Sequence, residues 1–153
     1  MHHPKPSEGL AYLSLLIVVA LLAITAAATL QLGVAIQKRE AEEELLWIGQ
    51  QFRDALVSYA NATPPGANRH PASLQDLLKD SRSVIVRRHL RKIFVDPMTR
   101  QADWGLVFGV GQSGIVGVHS LSDEVPIKRA NFPEALHNLE NQEKYRSWTF
   151  SVE

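Results

Sequence analysis

The densest group of chemically capable side chains in this sequence is basic. Arg82, Arg87, Arg88, Arg91, Lys92 and Arg100 lie between Ser81 and Arg100, with Asp96 as the one acid among them. Such a run can contact phosphates, so a DNA-binding subunit is one reading of it. No aromatic platform is interleaved with the arginines, which disfavours nucleic acid as the partner. Their expected place is the wet face of a helix whose Leu90, Ile93 and Phe94 face a core, or the acidic run Glu40–Glu44 of a neighbouring subunit.

Other motifs point to less. Gly109-x-Gly111-x-x-Gly114 spells the phosphate-binding fingerprint, but that signature needs a strand before it and a helix after it. Here a strand follows, so the glycines are expected in a hairpin. Ile115 stands where the nucleophile elbow G-x-S-x-G requires its last glycine, leaving Ser113 as a turn serine. His70, His89, His119 and His137 are scattered, and none forms an i,i+4 pair or H-E-x-x-H that would aim two ligands from one helical face. With no cysteine there is neither disulfide nor thiolate chemistry. The chain is expected to catalyse nothing, and Trp47, Trp104 and Trp148 are read as core or interface anchors.

These residues must be positioned by few elements. Of 153 residues, those left after an N-terminal hydrophobic segment suffice for one small domain. Lys plus Arg and Asp plus Glu are both 16, so the net charge is zero and electrostatic attraction must be local. Leu10 to Leu32 carries no charge and, at about 1.5 Å per residue, is long enough to cross a hydrocarbon core of about 30 Å. Gly33 to Asn61 continues it as an amphipathic helix. Leu45, Ile48, Phe52, Ala55, Leu56 and Tyr59 recur at spacings of three and four and predict one buried stripe. Between the two halves, Gln37 to Glu44 reads as a solvated charged collar, with Lys38/Glu42 and Arg39/Glu43 at i,i+4. Pro64-Pro65-Gly66 ends the helix.

Beyond it, Ser73 is expected to cap a helix over Leu74–Lys79, and Val84–Phe94 reads as another. Asp96-Pro97-Met98-Thr99 is a turn. Trp104–Val110 and Ile115–Ser120 are predicted strands joined by Gly111-Gln112-Ser113-Gly114. Phe132–Leu139 is expected to form a helical turn or two and Tyr145–Val152 a last strand. The fold class is therefore α+β: a long N-terminal helix packed on a small antiparallel sheet.

The order of these features resembles a known family. A short leader with Lys5, then Gly9, then the run from Leu10 to Ile24, is similar to type IV pilins and type II secretion pseudopilins. Further along, Arg88 to Asp96-Pro97, Trp104-Gly105-Leu106, Gly117 to Asp123 and Trp148 resemble the pseudopilin head. The resemblance implies a pilin-like fold divided into a leader over 1–9, a transmembrane and filament-core helix over 10–32, the amphipathic half over 33–63 and a globular head over 64–153. It implies processing by a prepilin peptidase between Gly9 and Leu10. Alternatives are a cleaved secretory signal, with a small-residue site at Ala26-Ala27-Ala28, and a plain anchor that is never processed and never polymerises.

The chain departs from the family pattern at Leu10, where phenylalanine or methionine is usual, and at Ser14, where the family has a glutamate that neutralises a neighbour's terminal amine in the bilayer. A subunit without that charge suits a minor place, such as the filament tip. Ser14, Glu40, Glu43, Arg87 and Arg88 are the expected assembly residues. Implied partners are other pilin-like subunits, the peptidase, an inner-membrane assembly platform and the lipid bilayer. The implied location is the bacterial inner membrane, with a single pass and the head in the periplasm. By order, Ser122-Asp123-Glu124 falls on the loop that binds calcium in the major pseudopilins. Two acids are few for an ion that takes six to eight oxygens, so no cofactor is expected, with Asp123 as the weak candidate ligand and, otherwise, the lock of a hydrogen-bonded loop.

Overall fold

The computed structural model describes residues 8–109, 111 and 114–152; of residues 8–10 and 25–32 the backbone is described and the side chains are not. Residues 1–7 of the leader expected over Met1–Gly9, the side chains of Glu8, Leu10 and the Ala26–Ala28 site, and Gln112 and Ser113 of the glycine-rich connection lie outside the description. The chain falls into two compact units, Met1–Lys38 and Arg39–Glu153. Helix α1, Glu8–Asn61, supplies residues to both.

In the first unit, the described side chains from Ala11 to Ile24 are all exposed, including Leu13, Leu16, Val19, Leu22 and Ile24. Among the described residues, no helix is long and apolar enough to cross a membrane. The amphipathic part from Gly33 onward does not meet that requirement. The span expected over Leu10–Leu32 runs into side chains outside the description.

In the second unit, the stripe predicted from spacing forms as expected. Leu45, Ile48, Phe52, Ala55, Leu56 and Tyr59 are all buried. The helix ends where the prolines require. Ala62 N–H still donates to Ser58 O at 3.1 Å, the Thr63 hydroxyl returns to Tyr59 O at 3.1 Å, and Gly66 turns the chain with φ +83.

The sheet has three antiparallel strands, β1 (Gly105–Phe108), β2 (Ile115–His119) and β3 (Thr149–Ser151), in the order β1-β2-β3. The register pairs Leu106 with Val118 and Val118 with Phe150, with a bulge between Val107 and Phe108. The glycine-rich stretch therefore joins two strands of a hairpin and is followed by no helix. Val118, Phe150 and Trp148 join the α1 stripe in one core with Leu77, Leu90, Trp104, Leu139 and Tyr145. Trp104 meets Phe52 with ring centroids 5.0 Å apart and planes tilted by 60°, and donates its indole N–H to Phe94 O at 2.8 Å.

Three local expectations are corrected. The helix expected over Leu74–Lys79 shrinks to α2, Gln75–Leu78, and Ser73 gives it no side-chain cap; instead the Asp76 carboxylate accepts the Ser73 N–H at 2.9 Å. The helix expected over Val84–Phe94 is absent. Asp80 and Arg87 form an isolated antiparallel bridge, and the His89 and Leu90 N–H groups both donate to Leu77 O, so these donors are spent on distant carbonyls. The β-branched Val84, Ile85 and Val86 favour this extended course. Last, Tyr145–Val152 is not one strand: Tyr145–Ser147 is a 3-10 turn and the strand is Thr149–Ser151, after which the Val152 N–H still donates to Val116 O of β2 at 3.0 Å. The turn expected over Phe132–Leu139 is a 3-10 helix, Glu134–Leu139.

Candidate functional site

The segment Arg87–Phe94 lies along α1, and its fixation comes from one polar cluster. The Asp80 carboxylate, 2 % exposed, accepts Nε–H and Nη2–H of Arg82 at 2.9 and 2.8 Å. The Arg82 guanidinium lies 3.4 Å over the Tyr59 ring and also donates to Tyr59 O, Asn68 O and Thr63 Oγ1. Arg82 is thus the brace between the end of α1 and the loop after it, with three bonds to that region, one of them to Tyr59 O in the last turn of the helix. The guanidinium holds the Asp80 carboxyl well below the usual carboxylate range, and Asp80 in turn raises the Arg82 pKa. Burial pushes the Tyr59 phenol up.

His89 completes the cluster, with Nε2 at 3.2 Å from Asp80 Oδ2 and Nδ1 at 2.8 Å from Ser58 Oγ. With Nε2–H donated to the carboxylate, Nδ1 accepts the Ser58 hydroxyl proton. Ser58, His89 and Asp80 follow one another as the members of a hydrolase triad do. The site differs from one in two respects. Ser58 sits inside α1, whose own N–H groups are taken by the helix ladder and cannot hold an oxyanion. Arg82 already takes both oxygens of the Asp80 carboxylate, so that carboxylate is shared with the guanidinium and not dedicated to His89. What the array does is hold the basic segment against the helix.

On the outside of this brace, two shallow depressions flank His89. One, of about 700 Å3, is bordered by Val57, Ser58, Asn61, Arg87 and Arg88. The other, of about 680 Å3, is bordered by Trp47, Gln51, Arg91, Lys92 and Phe94. Arg87, Arg88, Arg91 and Lys92 are exposed, while Leu90 is buried and Ile93 and Phe94 half-buried, so the expected division into wet and core-facing residues holds without the helix. The sequence interleaves no aromatic platform with these arginines; the fold supplies one from α1, since Trp47 is 54 % exposed.

The other expected assembly residues do not gather here. Glu40 and Glu43 are exposed on α1, and Ser14, also exposed, donates its hydroxyl to Ala11 O at 2.8 Å. The collar between them is not wholly solvated: Glu42 is buried. Its carboxylate accepts Ile127 N–H at 2.6 Å, Lys128 N–H at 3.2 Å and the Tyr145 hydroxyl at 2.8 Å. Burial, and then this hydrogen bond, drive the Tyr145 pKa far above its ordinary value. Glu42 extends the buried stripe one step before Leu45, and that phase was the available signal for it.

Asp123 is exposed and paired with Lys144 and Arg146, both at 3.3 Å. These exposed pairs tie the loop to Lys144 and Arg146 but contribute little to holding it. That task falls to Ser120, whose hydroxyl donates to the buried Asp96 at 2.7 Å and accepts Ser122 N–H at 3.1 Å. Among the described residues, no group of three or more His, Asp or Glu side chains could hold a metal ion. His119 bonds Ser120 O, and His137 lies 3.6 Å from Glu140.

No family model, curated protein or solved structure matches the chain.

Proposed function

We propose that this chain is a membrane-anchored, pilin-like subunit of a type II secretion or type IV pilus-type assembly, in a minor position. The observation that carries the reading is α1 itself. One helix, Glu8–Asn61, exposes the apolar residues Leu13 to Ile24 near its start and buries a regular stripe from Leu45 to Tyr59 near its end. An apolar surface of that extent requires a non-aqueous neighbour, either lipid or other apolar helices. In this reading the exposed part is stored in the inner membrane and packs with other subunits on assembly, while the α+β unit works in the periplasm. Ser14 favours a minor place, because its hydroxyl is spent on Ala11 O and it carries no charge for a neighbour's amine. The work is mechanical, and the peptidase and assembly platform act on the chain from outside.

Intact mass and N-terminal sequencing of the chain purified from its own membrane test this. A chain beginning at Leu10, with a methylated amine, is the expected result. A chain still beginning at Met1 would overturn processing and leave a plain membrane anchor.

A further inference from the structure

We propose that the groove between α1 and the Arg87–Phe94 segment binds single-stranded nucleic acid. The proposal stands independently of the filament reading. Its first support is placement. The Arg87/Arg88 depression and the Arg91/Lys92 depression share His89 and so follow one another along the same stretch of α1. From Trp47 to Ala62 that stretch measures about 22 Å of helix axis, on the order of four nucleotides, the short end of known single-strand sites.

The second support is the state of the cations. Among the described residues, none of Arg87, Arg88, Arg91 and Lys92 is drawn into an ion pair; Lys92 lies 5.2 Å over the Phe94 ring. Two acids, Glu44 and Asp54, also border the groove, and Asp54 accepts an N–H from Gln50 at 2.7 Å. The local balance still favours the cations by two.

The third support is Trp47. Its indole meets Phe94 edge to face, with centroids 5.4 Å apart at 89°, and Phe94 in turn meets the buried Phe52 at 6.2 Å. The indole is thereby fixed in direction while more than half its surface stays in water. An aromatic held this way beside cations is what sequence-tolerant binding of unstacked bases requires. A duplex would use the cations and leave Trp47 idle, because its bases are already stacked. An acidic segment of a second copy, such as Glu40 to Glu44, is the competing occupant.

The test is fluorescence anisotropy of a labelled oligothymidylate, about a dozen residues long, with the full-length chain in detergent micelles across a salt series. Binding is expected with a log K against log salt slope no steeper than about −2.8, four cations at 0.7 each. Trp47→Ala should weaken binding at least about fivefold without changing the slope, and Trp47→Phe should restore most of it. Replacing Arg88 and Arg91 with alanine should reduce the slope by about 1.4. Far-UV circular dichroism checks that each variant is folded. The proposal is overturned by absence of binding, by binding indifferent to Trp47, or by a duplex that binds as tightly as the single strand. It is equally overturned if the cations prove to drive self-association instead.

Discussion

Glu42 and Tyr145 share a hydrogen bond of 2.8 Å across 103 residues of sequence, and both are buried. Glu42 comes from the helix and Tyr145 from the turn before the last strand, so the bond closes the α+β unit from its first element to nearly its last. Two backbone N–H groups, of Ile127 and Lys128, converge on the same carboxylate. Each partner satisfies a group that water cannot reach.

Glu42→Ala should therefore remove the acceptor shared by the buried Tyr145 hydroxyl and the two partly buried N–H groups of Ile127 and Lys128, and destabilise the unit by about 2 kcal/mol. Tyr145→Phe removes one donor and should cost about 1 to 2 kcal/mol. Urea unfolding of the two single variants and the double gives the coupling. The pair is linked as described when the double variant costs clearly less than the sum of the singles; strict additivity would refute it.

How far this was legible in the sequence differs by element. The stripe from Leu45 to Tyr59 was legible because a helix repeats its burial locally, every three or four residues. The hairpin was legible from two β-rich runs around glycines. Glu42 was half legible among Glu40, Glu43 and Glu44: its phase continues the stripe, but the groups that satisfy its carboxylate lie in a loop more than eighty residues away. The helix expected at Val84–Phe94 failed for the same reason: its donors go to Leu77 and Asp80, which no local pattern encodes. Of the groove, the arginines could be seen in sequence, but the neighbourhood of Trp47 with Arg91 and Lys92 exists only in the fold.

Asp80 makes stability depend on pH with a definite sign. Its folded pKa is depressed, chiefly by the Arg82 hydrogen bonds, so the unfolded chain takes up a proton on Asp80 at higher pH than the folded chain does. The contribution is fully present above the ordinary carboxylate value of about 4 and is lost as pH falls below it toward the folded value. Asp80→Asn should thus be less stable than the parent at pH 7, by about 3 kcal/mol as for a broken buried pair. The gap should narrow steadily below about pH 4. Chemical unfolding at pH 7 and at acid pH checks this, and a gap that widens in acid would contradict the assignment.

Ser120 joins two turns that lie 24 residues apart, donating to Asp96 Oδ2 and accepting from Ser122. Asp96 is fully buried, and its other oxygen accepts Met98 N–H at 2.8 Å. Ser120→Ala leaves one carboxylate oxygen and one N–H short of a partner, at a cost of about 2 kcal/mol. Hydrogen exchange at the Ser122 amide should speed up, whereas Asp123→Ala, which removes only exposed ion pairs, should leave it within about 0.5 kcal/mol of the parent.

Gly49 tests the packing of helix against sheet, because alanine is the better helix former by about 1 kcal/mol and would ordinarily stabilise. Here a Cβ would overlap the ring of Phe150, a fully buried side chain on β3 that has no room to withdraw. Overpacking of this kind costs about 1 to 3 kcal/mol, which exceeds the gain in helix propensity, so Gly49→Ala should be net destabilising. Gly33 lies in the same helix with nothing within 4 Å of its virtual Cβ, and Gly33→Ala should show propensity alone, neutral or stabilising by up to about 1 kcal/mol. Opposite signs at two glycines of one helix, read by thermal unfolding, separate what the backbone prefers from what Phe150 demands. A stabilising Gly49→Ala would mean that β3 does not sit on α1 as closely as described.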